Sequence, residues 1–317
     1  MNVLVREMQN ADVPEADRIV RLAFGTFLNV PDPLTVFGDS HYVRPRFRSR
    51  ATVKHVAEVG GKIVGSCLMT RWGEVAYIGP VSVHPEHWNS GIAQRLLEHA
   101  TAQIDRWGVR QRSLFTFPHS AKHICLYQKF GFWPRYLAAV LSKPTGAAPA
   151  SATHTRLSAL PAAERRDAIM ACRDLCDALY AGLDLTDDIE ALLEQGIGDV
   201  LLVRGDAADR GTIVAFALCH FGEGSEAGTP GLLVKFGAAR PGPEASRSFT
   251  RLFDAVESLA VDVSASRIST VVDFSHKETF RSLMARNFRV DFTGLSMHGG
   301  DEVGYHRPEL HVVDDVR

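Results

Sequence analysis

The residues whose types and spacing could do chemistry are concentrated in GPVSVHPEHWNSGIAQRLL, residues 79–97. The pattern predicts a strand ending at Val83, a short loop, and a helix beginning near Gly91. Backbone N–H groups at a helix N-terminus are unpaired and attract phosphate. Gly91 lets the backbone approach a ligand closely, and Asn89 and Ser90 can cap the helix or donate to oxygens. The segment is a candidate pyrophosphate cradle, although an ordinary turn between strand and helix has the same pattern.

The strand before this loop indicates an opening in the sheet. Pro80 cannot donate a hydrogen bond to a neighbouring strand, and Gly79 is typical of a bulge. We therefore expect the strand 74–83 to separate from the next predicted strand, residues 112–117. Main-chain groups would then face a ligand in the slot between the two strands.

A third informative segment is AKHICLYQKFGFWP, residues 121–134. Its apolar residues Ile124, Tyr127 and Phe130 share one side of a short predicted helix, and Gly131 is a helix terminator. An aromatic strand follows. Position alone favours Tyr127 as a core aromatic on an amphipathic helix.

Together these motifs resemble the GNAT superfamily of acyl-CoA N-acyltransferases. The family's phosphate loop reads Arg/Gln-x-x-Gly-x-Gly/Ala, and the same positions here are Trp88, Asn89, Ser90, Gly91, Ile92 and Ala93. VSVHPEH (81–87) matches the strand that carries the pantetheine arm, and LYQKFGF (126–132) matches the family's helix-to-strand signature. Trp88 departs from the pattern, since Arg or Gln is usual there. The strand order extends the resemblance over residues 1–143.

The resemblance implies acyl transfer, most simply of an acetyl group, from acetyl-CoA to a primary amine by direct attack. The residues it assigns to binding of the cosubstrate are Val81, Ser82, Val83, Trp88, Asn89, Ser90, Gly91, Ile92, Ala93 and Ser120. A strand N–H near Val83 would polarise the carbonyl. The family's tyrosine falls on Tyr127, which would donate a hydrogen bond to the departing thiolate, and this reverses the preference for a core role. The rival hypotheses are a non-catalytic acyl-CoA sensor and an interaction protein.

The attacking amine must also lose a proton. Glu74, at the start of the cleft strand, and His84 are candidates for this step, the former through a water molecule. Each is also an ordinary surface or turn residue, and we select neither.

The second half repeats the order of elements found in the first. Residues 144–154 are rich in Pro, Gly, Ala, Ser and Thr and predict a linker. The expected fold is α/β, with two tandem GNAT-like domains at 1–143 and 155–317. Each is a mixed, mostly antiparallel sheet flanked by helices.

The second copy is expected to be degenerate. RPGPEAS, residues 240–246, has no Gly-x-Gly/Ala pair, and Leu283 stands where Tyr127 would recur. The roles open to this copy are packing, forming one wall of the acceptor site, and contact with a second chain in a homodimer. Its polar C-terminal tail, residues 298–317, is expected to be partly disordered.

The charge differs between the halves. Residues 1–143 carry 18 Lys and Arg against 11 Asp and Glu, and residues 144–317 carry 17 against 26. The acidic half favours a cationic amine acceptor. The alternative, to which we give equal weight, is that the surfaces of the two halves are functionally unrelated. The acceptor itself is not identified by the sequence.

Composition excludes several classes of protein. With 45% hydrophobic residues and no apolar run of about 18, the chain is predicted to be globular without a membrane span. Its start does not resemble a secretory signal. Five scattered cysteines, an odd number, indicate a reducing, cytoplasmic compartment.

Two weaker patterns are set aside. Arg44, Arg46, Arg48 and Arg50 alternate in RPRFRSR, which favours a solvated edge over an anion site, and the acidic balance argues against nucleic acid. The set His119, His123 and Cys125 lacks a fourth ligand at suitable spacing, so we predict no metal.

Overall fold

The structure, a computed structural model, describes residues 2–148, 154–206 and 211–317. The helices are α1 (Val13–Phe27), α2 (Val43–Arg48), α3 (Ile92–Trp107), α4 (Ala121–Gln128), α5 (Ala162–Leu179), α6 (Thr186–Gln195), α7 (Ala245–Asp262) and α8 (Lys277–Ala285). None of the helices in these ranges is long and apolar enough to cross a membrane. Of the predicted linker, residues 149–153 lie outside the described residues.

The strands alternate with the helices in both halves. They are β1 (Leu4–Glu7), β2 (Thr52–Val59), β3 (Lys62–Trp72), β4 (Val75–Val83), β5 (Gln111–Thr116), β6 (Phe132–Pro144), β7 (Thr155–Arg156), β8 (Gly198–Arg204), β9 (Ile213–Phe221), β10 (Gly231–Ala239), β11 (Arg267–Asp273), β12 (Arg289–Gly299) and β13 (Val312–Asp314). The elements of the second half follow the order of those in the first.

All the strands of the described residues belong to one sheet, in the order β1-β2-β3-β4-β5-β12-β6-β11-β10-β9-β8-β7, with β13 added to β10. Only β4–β5 and β10–β11 are parallel among these pairs. The mixed, mostly antiparallel sheet flanked by helices is therefore confirmed. The halves share this sheet rather than forming separate ones.

The halves are joined by an exchange of strands that the sequence did not predict. Strand β12 of the second half lies between β5 and β6 and pairs antiparallel with both. Strand β6 of the first half pairs with β11. Each half thus completes its sheet with the last long strand of the other, which fixes the position of one half against the other.

Helix α3 shows how local sequence positions the site. Its buried face consists of Ile92, Leu96, Leu97, Ala100 and Ile104, at the spacing that puts residues on one side of a helix. This face packs on β3 and β4. The start of α3 is therefore held at the end of β4, where the predicted cradle lies.

Residues 43–48 form α2, so the interpretation of RPRFRSR as a solvated edge is wrong at its centre. Arg46 is only 4% exposed and pairs with Glu226 of the second half, with an Nε–Oε1 distance of 2.8 Å. Helical spacing turns Arg46 inward, whereas Arg44, Arg48 and Arg50 are exposed. The burial of Arg46 could not be predicted from the local sequence, because it depends on the carboxylate of Glu226, which is distant in the chain.

The end of the C-terminal tail, residues 310–316, is buried in the fold, contrary to the expectation of a partly disordered tail. The hydroxyl of Tyr305 donates to Asp314 at 2.7 Å, and Val312, Val313 and Asp315 are fully buried. Val312 and Val313 pack in the hydrophobic clusters beside β10. The Asp315 carboxylate pairs with the Arg317 guanidinium at 2.6 Å. The polar composition of the tail reflects internal pairing rather than solvation.

Candidate active site

The predicted slot opens between β4 and β5. The two strands pair only from Val75–Ile78 to Gln111–Leu114, and β4 changes register against β3 just after Ile78. Beyond this point Gly79 and the rest of β4 diverge from β5. The predicted separation at Gly79-Pro80 is confirmed.

The loop between β4 and α3 is held in a fixed shape. The indole of Trp88 donates from Nε1 to the carbonyl of Val83 at 2.7 Å, and Asn89 and Gly91 both have positive φ, +64° and +83°. The first main-chain bond of α3 runs from Arg95 N–H to the Gly91 carbonyl at 3.1 Å. The N–H groups of the first turn are therefore free to face a ligand. Trp88, the departure from the family pattern, closes the loop.

The cleft formed here has a volume of about 1250 Å³. Of the residues predicted to bind the cosubstrate or to act in catalysis, those lining it are Val81, Ser82, Val83, Trp88, Asn89, Gly91, Ile92, Ala93 and Tyr127. Ile92 and Val83 are buried, whereas Asn89 and Gly91 are exposed. One cleft brings together the slot, the start of α3 and the tyrosine.

Two predicted residues have other contacts. Ser90 is exposed and its hydroxyl donates to the carbonyl of His87. Ser120 is buried and accepts from the N–H of His123 at 3.4 Å, as the cap of α4. Neither is among the residues that line the cleft, and their part in binding stays a prediction.

The electrostatics of Tyr127 suit a hydrogen-bond donor. Burial raises its pKa above the ordinary value for a tyrosine. The phenol therefore keeps its proton throughout the physiological range. It can stabilise a developing thiolate at close range by hydrogen bonding without releasing the proton.

Two lysines that line the cleft, Lys122 and Lys129, were not predicted from the sequence. The Nζ atom of Lys122 donates to Asn89 Oδ1 at 2.6 Å and lies 5.9 Å from the centre of the Trp88 ring. Lys129 also lines the cleft. Both belong to the segment 121–134. Their positive charge, in a segment associated with the predicted phosphate loop, was the sequence feature that could have indicated a role in binding.

The structure separates the two candidate bases from the cleft. Glu74 lies just before β4, at the opposite end of the strand from Val83, beside Arg110 with an Nε–Oε2 distance of 3.6 Å. His84 accepts from Glu86 N–H at 3.4 Å. Neither is among the residues that line the cleft. The strand was correctly predicted, and it is observed at Val75–Val83, but its N-terminal end does not line the cleft.

The second half has an equivalent slot, and its own chain fills it. Strand β10 pairs with β11 only from Gly231 to Val234 and changes register against β9 just after that point, as β4 does in the first half. Strand β13 then pairs with Phe236–Ala238 of β10. A Cβ at Gly237 would lie 3.1 Å from Val313 Cγ2, so glycine permits this close approach. Residues 312–314 thus occupy the position that is open beside β4.

The second half also contributes to the open cleft. Phe292, Thr293 and Arg317 are among its lining residues. Arg46 connects the edge of the slot to the second half. Its Nη1 donates to the Gly79 carbonyl at 2.9 Å, and its Nε pairs with Glu226 of the second half. The site is built by the first half and supported by the second.

Comparison with protein-family models identifies the first half. Residues 29–132 match the model of the acetyltransferase (GNAT) family. This range carries the similarity of the chain to the GNAT family. The matched range contains the slot, the loop, α3 and Tyr127, whereas the cleft also extends to residues outside it, such as Phe24 and Arg317. No curated protein matches the chain significantly.

Solved structures resemble the whole chain in fold. A putative acetyltransferase from Pyrococcus horikoshii is 14% identical with a TM-score of 0.67, over 99% of this chain and 95% of that one. A GCN5-related N-acetyltransferase from Sphaerobacter thermophilus is 12% identical with a TM-score of 0.58, over 93% and 95%. A tandem GNAT protein from the clavulanic acid biosynthesis pathway is 11% identical with a TM-score of 0.58, over 95% and 100%. The chain as a whole therefore has a fold that is also found in a tandem GNAT protein.

Proposed function

We propose that the protein is an N-acetyltransferase that transfers the acetyl group of acetyl-CoA directly to a primary amine. The observation that carries this proposal is the meeting of three features in one cleft. The slot beside β4, the free N–H groups at the start of α3 and the hydroxyl-bearing Tyr127 all line the same space. Each meets a different requirement of the reaction.

The start of α3 suits a pyrophosphate. Helix N-terminal N–H groups favour negative charge, and Lys122 adds a cation beside the loop. The space around Gly91 is open, because a Cβ atom built at this position would have no other atom within 4 Å. A ligand can therefore approach the backbone there. The pantetheine arm would run along residues 81–83, and an N–H near Val83 would polarise the acyl carbonyl.

The transfer step then balances as follows. A thioester supplies a carbonyl carbon that a neutral amine nitrogen can attack. The new C–N bond forms, the C–S bond breaks, and its electron pair stays on the sulfur. Tyr127 donates a hydrogen bond to that sulfur. The proton lost by the amine nitrogen passes through solvent to the departing thiolate and gives the free thiol of coenzyme A.

The second half is proposed to take no acyl-CoA. Strand β13 occupies the slot beside β10, and Leu283 has no group that can donate to a thiolate. One site per chain follows. A reducing, cytoplasmic compartment stays part of this proposal, and five free cysteines, four of them buried, are compatible with it.

The proposal is tested by thiol release from acetyl-CoA in the presence of primary amines. Tyr127→Phe removes the donor and keeps the ring, so we expect kcat to fall about 10- to 100-fold, as for a lost hydrogen bond to a charged group. Binding of acetyl-CoA should be unchanged. Tyr180→Phe, outside the cleft, is the matched control. Binding without transfer to any amine would contradict the enzyme and favour an acyl-CoA sensor.

A further inference from the structure

The cleft continues past the slot along a row of aromatic rings. We name this row the aromatic wall; its members are Tyr42, Phe37, Phe24, Phe117 and Phe27. Successive ring centres in that order are 4.8, 5.7, 6.3 and 4.9 Å apart. All five rings line the cleft and are partly exposed to it. Rings in a continuous row that remain accessible are typical of a surface that binds an apolar ligand.

The wall begins at the edge of the slot, beside Gly79. Tyr42 lies 5.7 Å from the Arg46 guanidinium, which holds the Gly79 carbonyl where β4 leaves β5. The other end reaches α4, because the Phe27 ring lies 4.9 Å from that of His123. An apolar group on the wall would therefore lie between the edge of the slot and α4, the helix that carries Tyr127.

The charges around the cleft argue against a polycationic acceptor. Among the described residues that line it there is no Asp or Glu. Its ionisable side chains of basic type are His87, His119, Lys122, His123, Lys129 and Arg317. The acidic charge of the second half is engaged elsewhere, as in the buried pair of Glu226 with Arg46 and Lys235. A second ammonium on the acceptor would find no counter-charge here.

An apolar wall also assists the attack. Desolvation disfavours the charged form of an amine, so more of the acceptor would be neutral and nucleophilic in the cleft. The volume of about 1250 Å³ exceeds the range of about 300–1000 Å³ common for single small ligands, which leaves room for a second substrate.

Resting on the proposed function, we infer that the acceptor is a primary amine on a compact aromatic or apolar body, an arylalkylamine in chemical class, whose ring packs on the aromatic wall. An acyl chain longer than acetyl is the other source of an apolar group. The wall is built mainly by residues 24–42, from α1 to the start of α2, and not by the strands of the slot. Because the acyl group of acyl-CoA would lie in the slot, a wall built by other elements favours the acceptor over a long acyl chain as its ligand.

The test compares 2-phenylethylamine with putrescine as acceptors at saturating acetyl-CoA. We expect kcat/KM to be at least tenfold higher for 2-phenylethylamine. Phe27→Ala should lower kcat/KM for 2-phenylethylamine about tenfold, mainly through KM, while acetyl-CoA affinity is kept. Phe47→Ala, a partly exposed phenylalanine of α2 outside the cleft lining, is the matched control.

Equilibrium binding of 2-phenylethylamine in the presence of coenzyme A separates the two claims. If 2-phenylethylamine binds, if Phe27→Ala weakens that binding, and if no acetyl transfer occurs, the inferred ligand class is upheld and the proposed N-acetyltransferase activity is overturned. If acetyl transfer favours putrescine, or if Phe27→Ala does not affect it, the inferred acceptor class is overturned and the proposed N-acetyltransferase activity stands. A preference for hexanoyl-CoA over acetyl-CoA that is lost in Phe27→Ala would assign the wall to the acyl chain and also overturn it.

Discussion

Arg46 donates from Nη1 to the carbonyl of Gly79 at 2.9 Å, at the point where β4 leaves β5. The same guanidinium is paired through Nε and Nη2 with both carboxylate oxygens of Glu226, at 2.8 and 2.9 Å. Lys235 reaches Glu226 at 2.8 Å. The edge of the cleft is thus held by charges of the second half, which gives the second copy a structural role in the site.

Removing the central charge of this network should be costly. Burial alone would raise the pKa of Glu226, but Arg46 and Lys235 hold it well below its ordinary range, so the group is ionised. Glu226→Gln leaves two buried cations without their counter-charge, and we expect a loss of about 3–5 kcal/mol in the free energy of unfolding. Urea unfolding measures this. Exposed Glu223→Gln is the control, and equal midpoints for the two variants would contradict the prediction.

The ordered tail predicts an unusual dependence on pH. Burial raises the pKa of Asp314 to about 8, with Asp273 and Asp315 adding to the effect and Tyr305 and Lys235 opposing it. The ordinary value in the unfolded chain is about 3.9. The folded chain therefore holds a proton that the unfolded chain releases. The stability this provides is complete below pH 4 and is lost as the pH rises through 8.

The interval from pH 6.5 to 8 isolates this group from the buried histidines. Burial lowers the pKa of His220, His276 and His298 to about 4, so their effect has the opposite sign and lies below pH 6.5. We expect the free energy of unfolding to fall by about 1–2 kcal/mol across the interval. Asp314→Asn should flatten the slope, and exposed Asp262→Asn should not. A flat profile in the original chain would refute the assignment.

The filling of the second slot can be tested through packing. Val313 is fully buried against β10, and Val313→Ala should cost about 2 kcal/mol because methyl groups are lost from a close-packed site. Val290→Ala, at a position that is 40% exposed, is the control and should have little effect. Unfolding midpoints in urea compare them. A tail that is loosely attached would give the same small change for both.

The sequence predicted what depends on local spacing. The period of apolar residues in α3, the break at Gly79-Pro80 and the glycine at the start of α3 are each decided by neighbouring residues, and all three were correctly placed. The fold class follows from such elements in order. The lining of the cleft by Tyr127 also agrees with its motif.

Features decided by distant partners were not predicted. The pairing of β12 with β5 depends on which of two similar sheets a strand joins, and its own residues carry no sign of that choice. Arg46 is turned inward by Glu226, 180 residues away. Val312 and Val313 lie among charged residues, so the burial of the tail appears only once those charges find partners. The aromatic wall is assembled from α1, the segment after it and the residue following β5.

The most direct test of the central claim is a calorimetric titration with acetyl-CoA, read for stoichiometry and affinity. We expect one site per chain, with affinity at least tenfold weaker in Ala93→Glu, because the new carboxylate would face the phosphates at the start of α3. Ser246→Glu places the same charge on the first turn of α7 in the second half and should leave binding unchanged. Two sites per chain, or a single site weakened by Ser246→Glu and not by Ala93→Glu, would contradict one working cleft in the first half of the chain.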